Sequence, residues 1–121
     1  YPVAFALLAA IAISLPSTAI AVEGEKVYRK CKACHDLEAG KHKIGPSLAG
    51  VVGRQAGTAE GFSKYKGLKD ADWTWTESEL MAYLEDPTSY TKAKTGIPSS
   101  MTIKLKKEEE RKAVIDYLKN Q

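Results

Sequence analysis

Apolar residues recur at helical spacing in three separate stretches of this 121-residue chain. Each stretch places its apolar side chains on one face, which is typical of a helix that packs against a core. The three predicted helices span Gly24–Lys32, Glu77–Glu85 and Lys107–Lys119. Their inward-facing residues are Val27, Tyr28 and Cys31 in the first, Leu80, Met81 and Leu84 in the second, and Val114, Ile115 and Leu118 in the third.

Polar residues mark the ends of the second and third helices. The run Thr76-Glu77-Ser78-Glu79 is a capping box, in which Thr76 bonds the backbone three residues on and Glu79 reaches back. Pro87 is expected to end that helix. Three glutamates at 108–110 lie at the start of the last helix and Lys119 lies at its end, which suits the helix dipole.

Long stretches rich in glycine and proline separate the helices. Residues 40–57, 61–72 and 92–100 are predicted as loops because turn-forming residues interrupt any helical pattern there. The fold class is therefore predicted to be all-α, with helices joined by long loops. Such loops are unusual in a small domain, and we expect them to wrap a flat cofactor.

Residues 1–22 differ in composition from the rest of the chain. They contain no charged side chain, and Pro2–Ile13 is almost entirely apolar. The run Ala19-Ile20-Ala21 resembles the end of a secretory signal, with cleavage expected after Ala21. A retained membrane anchor is the alternative, because the segment is about long enough to cross a bilayer. Either way, residues 23–121 are predicted to form one exported domain.

The segment Cys31-Lys32-Ala33-Cys34-His35 contains both cysteines and one of the two histidines. A C-x-x-C-H motif is the signature of covalent c-type haem attachment. Two thiols three positions apart lie on one side of a helical turn, where both can form thioether bonds to the vinyl groups of one haem. His35 would then lie under the iron as the proximal ligand.

Three other kinds of site are compatible with parts of this motif. A thioredoxin-like redox pair also contains C-x-x-C but requires a strand–helix setting, and no strand-like alternation precedes Cys31. A zinc site could use Cys31, Cys34, His35 and His42, although structural zinc motifs usually separate their ligand pairs by a longer loop. A disulfide is possible outside the cytosol.

The second iron ligand has three candidates, His42, Met81 and Met101. His42 is close to His35 in sequence, and we expect it to be a loop histidine bonded to the backbone. Met81 falls on the inward stripe of a helix, where methionine usually fills the core. Met101 follows a breaker-rich loop that can present its thioether to the iron, so it is favoured. Ligation by His and Met closes the iron to external ligands, which is typical of electron carriers.

Charge is distributed unevenly along a chain of formal net charge +3. Residues 60–86 carry an excess of acids, whereas residues 87–107 contain five lysines and no acid. The positive blocks lie nearest the candidate haem ligands, and such an asymmetry steers a protein toward an acidic partner. No motif supports nucleic-acid binding. The predicted contact face consists of Lys30, Lys32, Lys41, Lys43, Lys94, Lys104 and Lys106.

The chain resembles the class I cytochromes c, and most closely the mitochondrial-like members from alphaproteobacteria. The resemblance extends from Glu23 to Leu118 and includes the C-x-x-C-H motif, Gly24 with its following aromatic, and His42-Lys43-Ile44-Gly45-Pro46. It implies the cytochrome c fold around one haem c. It also implies that the Pro46 carbonyl bonds His35, and that Arg54 and Trp75 help to satisfy a buried haem propionate. Tyr65 stands one position later than the family's usual tyrosine.

The same resemblance implies a function, a location and partners. It implies a monomeric, monohaem electron carrier in the periplasm, either soluble or anchored to the outer face of the cytoplasmic membrane. The electron donor would be a quinol–cytochrome c oxidoreductase, and the acceptor would be a terminal oxidase or a photosynthetic reaction centre. The alternative is a haem protein with an open iron position that binds a gas or reduces peroxide.

Overall fold

The computed structural model describes residues 17–121, so most of the predicted signal or anchor segment lies outside the described residues. Four helices follow one another in this range, and their bounds are α1 Ser17–Tyr28, α2 Glu77–Glu85, α3 Pro87–Thr95 and α4 Glu108–Lys119. Between residues 17 and 121 the only extended pairing is one isolated bridge that joins Gln55 to Thr74. The all-α prediction is therefore confirmed.

Helix α1 crosses α4 at very short range, and Gly24 makes this crossing possible. A Cβ atom at Gly24 would lie 2.4 Å from the carbonyl oxygen of Ala113 and 2.7 Å from Cβ of Tyr117. Beside the crossing, the rings of Tyr28 and Tyr117 pack with centroids 5.4 Å apart. The terminal helices are thus locked together by one glycine and one aromatic pair, with the apolar stripe of α4 turned toward the core.

The first helix has different bounds from those predicted. It begins at Ser17 rather than Gly24, so it continues without a break through the expected cleavage site at Ala21, and it ends at Tyr28 rather than Lys32. Alanine-rich sequence around residue 20 favours the helix, and single turns replace it after Tyr28. Among residues 17–121, no helix has both the length and the hydropathy that crossing a bilayer requires.

Helix α2 begins as predicted, but only half of the capping box is present. The Thr76 hydroxyl accepts a hydrogen bond from the backbone N–H of Glu79 at 3.1 Å. The Glu79 side chain does not return to the cap, because its carboxylate instead accepts the hydroxyl of Tyr90 and pairs with Lys94. That carboxylate therefore ties α2 to α3.

Helix α3 is the element that the hydrophobic pattern missed. Part of the predicted loop at 92–100 is helical, because α3 runs to Thr95. Asp86 caps its N-terminus by accepting the N–H of Ser89, and Pro87 fits the first turn, where no N–H is needed. Gly96 ends the helix in the left-handed conformation, with φ of 79°.

Candidate functional site

A mostly apolar cavity lies between α2, α4 and the loops that connect the helices. We call it the central cavity. It is the convergence point of residues from distant parts of the chain, including Leu80 and Leu84 of α2 and Val114 and Leu118 of α4. All seven residues predicted as cofactor-binding line it, namely Cys31, Cys34, His35, Pro46, Arg54, Trp75 and Met101.

The two cysteines lie on one helical turn at the edge of this cavity. The N–H groups of Cys34 and His35 both donate to the carbonyl of Cys31, at 3.1 and 3.0 Å. Both thiols are free, and Cys31 is buried. Burial raises the pKa of the Cys31 thiol to about 11, which is the opposite of the lowered value that reactive redox thiols need. Residues 17–30, the described part of the chain before this turn, contain no strand, so the geometry disfavours a thioredoxin-like site.

The imidazole of His35 is held by one backbone carbonyl. Its Nδ1 lies 2.7 Å from the carbonyl oxygen of Pro46. A carbonyl can only accept, so Nδ1 carries the proton and Nε2 keeps its lone pair. Burial lowers the pKa of His35, which also favours the neutral ring. His35 is therefore prepared to donate its Nε2 lone pair to a metal.

Gly45 makes room for this imidazole. A Cβ atom at position 45 would lie 2.4 Å from Cε1 and 2.8 Å from Nδ1 of His35. The N–H of Gly45 also donates to the carbonyl of Cys34 at 2.8 Å. The loop that supplies the Pro46 carbonyl is thus fastened directly to the cysteine turn, and a side chain at position 45 would displace the ring.

Met101 differs from the other candidates for the second ligand because it lines the central cavity. Both ring nitrogens of His42 are occupied by backbone groups: Nδ1 accepts the N–H of Ser47, and Nε2 donates to the carbonyl of Glu60. This confirms the expected role of His42 in the loop. Met81 belongs to α2, where it is partly buried against the core, and it does not line the cavity.

Arg54 lines the cavity as a half-buried cation whose hydrogen bonds are incomplete. Its Nη1 donates to the carbonyls of Ser47 and Ala49, but its Nε is buried without a partner. Within residues 17–121, no carboxylate forms an ion pair with it. Partial burial lowers the pKa of Arg54, and a half-buried guanidinium with an unpaired Nε suits an anionic acceptor. A haem propionate fits that requirement.

Trp75 is placed beside Arg54 by the backbone. The N–H of Trp75 donates to the carbonyl of Arg54 at 2.8 Å, and the N–H of Gly53 donates to the carbonyl of Trp75 at the same distance. Tyr65 lines the same cavity, but its hydroxyl accepts the N–H of Ala59 at 2.9 Å. Tyr65, which stands one position later than the family's usual tyrosine, therefore uses its hydroxyl for a hydrogen bond within its own loop.

A zinc site is not assembled. The side chain of His42 is turned to backbone groups outside the cavity, and within the described chain no cluster of three or more His, Cys, Asp or Glu residues has metal-binding geometry. By contrast, one imidazole lone pair, two thiols, one thioether and an unsatisfied guanidinium surround the mainly apolar central cavity. That donor set fits a single covalently bound haem.

The predicted lysine face is only partly free. Four of its seven lysines form ion pairs: Lys30 with Glu110, Lys41 with Glu38, Lys94 with Glu79, and Lys104 with Asp86. Lys30 lines the cavity, whereas Lys94 lies over the rings of Trp73 and Tyr90.

Two further lysines that the sequence pattern did not predict, Lys64 and Lys66, also line the cavity. Their only signal was the basic pair flanking Tyr65.

Comparison with known proteins agrees with this donor set. The family Cytochrome c matches residues 21–121 of the chain. Cytochrome c2 iso-1 of Rhodospirillum centenum is 44% identical over 112 residues, covering 81% of this chain and 92% of that protein. Cytochrome c-550 of Paracoccus denitrificans is 40% identical over 121 residues, covering 85% of this chain and 78% of that protein.

A solved structure gives the same result for the fold. The structure of cytochrome c2 from Rhodospirillum centenum superposes with a TM-score of 0.73 and 38% sequence identity, covering 83% of this chain and 96% of that chain. The alignment thus spans nearly all of the described helices and loops. The chain therefore belongs to the cytochrome c family and is a class I c-type cytochrome with one covalently attached haem c.

Proposed function

We propose that this electron carrier transfers single electrons from a quinol–cytochrome c oxidoreductase to a terminal oxidase or a photosynthetic reaction centre. The observation that carries the proposal is the convergence of Cys31, Cys34, His35 and Met101 on one cavity. When bound there, haem c supplies the one-electron redox couple. The rest of the function depends on what the side chains around it do.

Each side chain has a separate role in this proposal. The sulfur atoms of Cys31 and Cys34 hold the haem covalently, and His35 ligates through Nε2 because Pro46 fixes its tautomer. Met101 would supply its thioether as the second iron ligand, and such ligation would raise the reduction potential and exclude external ligands. Arg54, assisted by Trp75, compensates a propionate inside the protein.

The proposed docking surface lies around the cavity mouth. Lys30, Lys64 and Lys66 line the cavity, and two exposed apolar side chains, Ile44 and Ile103, lie on the same lining. Positive charge around a small apolar centre suits brief contact with a partner that presents carboxylates. Because four of the seven predicted lysines, Lys30 among them, are already ion-paired, we expect the docking charge to come mainly from Lys64 and Lys66, which form no ion pair in the described part of the chain.

We further propose that the protein works as a monomer on the outer side of the cytoplasmic membrane, after export directed by residues 1–22. Whether that segment is removed is tested by the mass of the mature protein. Loss of residues 1–21 supports a signal peptide, whereas a full-length mass supports retention as an anchor.

Electron transfer with isolated partner complexes tests the function. We expect the purified holoprotein to accept one electron per molecule from the oxidoreductase and to pass it to an oxidase or reaction centre, with rates that fall as salt rises. The open-site alternative predicts a different result, namely a high-spin ferric spectrum and rapid binding of cyanide. That result, with no turnover by the oxidoreductase, would reject the carrier.

A further inference from the structure

We propose that Arg111 is a positioning residue that keeps the Met101 thioether in the central cavity and so keeps the iron closed to external ligands. This inference rests on the proposed role of Met101 as the second ligand. Arg111 belongs to α4 and is 8% exposed, which is rare for an arginine without an acidic partner. None of the ion pairs found in residues 17–121 involves it.

The buried guanidinium of Arg111 donates hydrogen bonds to a loop. Its Nη1 donates to the carbonyl of Leu105 at 2.8 Å and to the carbonyl of Lys106 at 3.0 Å. Both carbonyls belong to the segment that joins Met101 to α4. Hydrogen bonds from a charged donor are stronger than bonds between neutral groups. Replacing Arg111 by an apolar residue would deprive both carbonyls of this hydrogen bond.

Leu105 is the point at which this segment is fixed. Its side chain is among the fully buried ones, and its N–H donates to the carbonyl of Leu84 at 2.8 Å. Together with the bond from Arg111, these contacts connect Leu105 to α2, to the core and to α4. Leu105 is four residues after Met101, so a fixed Leu105 keeps the Cα atom of Met101 within about 14 Å of its own, even when the chain between them is extended.

The other side of Met101 has its own anchor. The backbone N–H of Met101 donates to the hydroxyl of Ser99 at 3.1 Å, and that hydroxyl bonds the hydroxyl of Tyr83 at 3.0 Å. The residues between the two anchors, Thr102, Ile103 and Lys104, are exposed. Met101 is therefore held between an anchor on α2 and an anchor on α4. Release of either one makes local opening of the loop easier.

The test measures how often Met101 leaves the iron. Imidazole binds the ferric holoprotein only when the thioether has dissociated, so at saturating imidazole the binding rate equals the opening rate. We expect Arg111→Leu to raise this rate by about tenfold, because two charge-assisted hydrogen bonds are lost. Arg111→Lys retains one ammonium donor and should give an intermediate rate. Unchanged rates in both variants would overturn the proposal.

Two controls separate positioning from general destabilisation. Ile115→Ala removes a buried side chain of α4 that bonds no loop carbonyl, so it should lower the unfolding free energy but keep the opening rate within about twofold of wild type. Lys112→Gln changes an exposed neighbour and should leave the rate unchanged. An Ile115→Ala rate as high as that of Arg111→Leu contradicts a specific role for Arg111.

A measurement on the wild-type holoprotein covers the case in which the Arg111 variants do not fold. If Leu105 stays fixed while Met101 opens, its amide must exchange with solvent more slowly than imidazole binds at saturation. Faster exchange at Leu105 refutes the anchor. Failure of this proposal is distinct from failure of the proposed function, because a wild-type protein without a methionine–iron charge-transfer band would exclude Met101 as ligand before Arg111 is tested.

Discussion

The imidazole of His35 donates its Nδ1 proton to the carbonyl oxygen of Pro46 across 2.7 Å. This one bond connects the C-x-x-C-H turn to the following loop and decides which ring nitrogen remains free. The loop approaches so closely because Gly45, beside that proline, presents no side chain to the ring. The orientation of the first ligand thus depends on a carbonyl and a missing Cβ.

Gly45→Ala should disturb the first ligand through steric contact alone. The new Cβ would meet Cε1 of His35 at 2.4 Å, and crowding of this kind in a packed site costs about 1–3 kcal/mol of unfolding free energy. We expect a lower denaturation midpoint and a changed reduction potential in the holoprotein.

Gly40→Ala is the matched control. Position 40 has open space around it but a φ of 78°, so alanine there should cost about 1 kcal/mol and leave the potential unchanged. Equal shifts of potential in the two variants would show that the contact with His35 is unimportant.

Met101→Ala should abolish the methionine–iron charge-transfer band of the ferric protein and lower the reduction potential. The reason is that Met101 lines the central cavity, whereas Met81 of α2 packs against the core outside the cavity lining. Met81→Ala should keep the band and lose only packing. The loss of unfolding free energy should stay below the roughly 2–5 kcal/mol typical of a fully buried methionine, because Met81 is only partly buried. Survival of the band in Met101→Ala, with its loss in Met81→Ala, would reverse the assignment.

Cavity lysines that form no ion pair within residues 17–121 should matter more for electron transfer than lysines that are already paired. We expect Lys66→Gln to slow reduction by the oxidoreductase by roughly two- to fivefold at low salt, because a positive charge beside the docking centre is lost. Lys41→Gln makes the same change in net charge, but its ammonium lies 2.7 Å from the Glu38 carboxylate and does not line the cavity. An equally large effect of Lys41→Gln would mean that only net charge steers docking.

The Glu79 carboxylate should make stability fall in acid. The hydroxyl of Tyr90 and then the ammonium of Lys94 hold its pKa below the ordinary 4.5. A carboxyl with a depressed native pKa contributes stability above its unfolded pKa and loses it as pH falls through the native value. Because the group is partly exposed, we expect a contribution below about 1 kcal/mol.

Glu79→Gln should therefore flatten the dependence of the unfolding free energy on pH below 4.5. Glu25→Gln serves as control, because that carboxylate is exposed and forms no ion pair in the described part of the chain. If the unfolding free energies of wild type and Glu79→Gln fall equally as the pH drops below 4.5, the proposed link between α2 and α3 is contradicted.

The features that were predictable from sequence are those encoded by adjacent residues. The C-x-x-C-H turn, the Thr76 cap and the apolar stripe of α4 each lie within one or two helical turns. Helix α3 was missed because it has no apolar stripe, although Asp86, Pro87 and Gly96 supplied start and stop signals. Its buried positions include the polar Thr91, so the start and stop signals stood without the apolar repeat that predicts a helix.

The remaining features depend on chain segments that are far apart in sequence. Nothing local to Arg111 indicates that it holds the carbonyl of Leu105, and nothing near Lys64 or Lys66 places them on the central cavity. The predicted capping bond of Glu79 likewise does not form, because the Glu79 carboxylate contacts Tyr90 and Lys94, which lie beside it in the fold. Such contacts follow from packing, which the linear pattern does not specify.

Covalent attachment of haem is the central claim, and peptide mapping of the mature protein tests it most directly. Proteolysis should release one coloured peptide that contains Cys31 and Cys34, with a mass increased by one haem and with neither thiol open to alkylation. A protein matured and exported correctly that yields this peptide without haem, and with both thiols alkylated, would contradict the account.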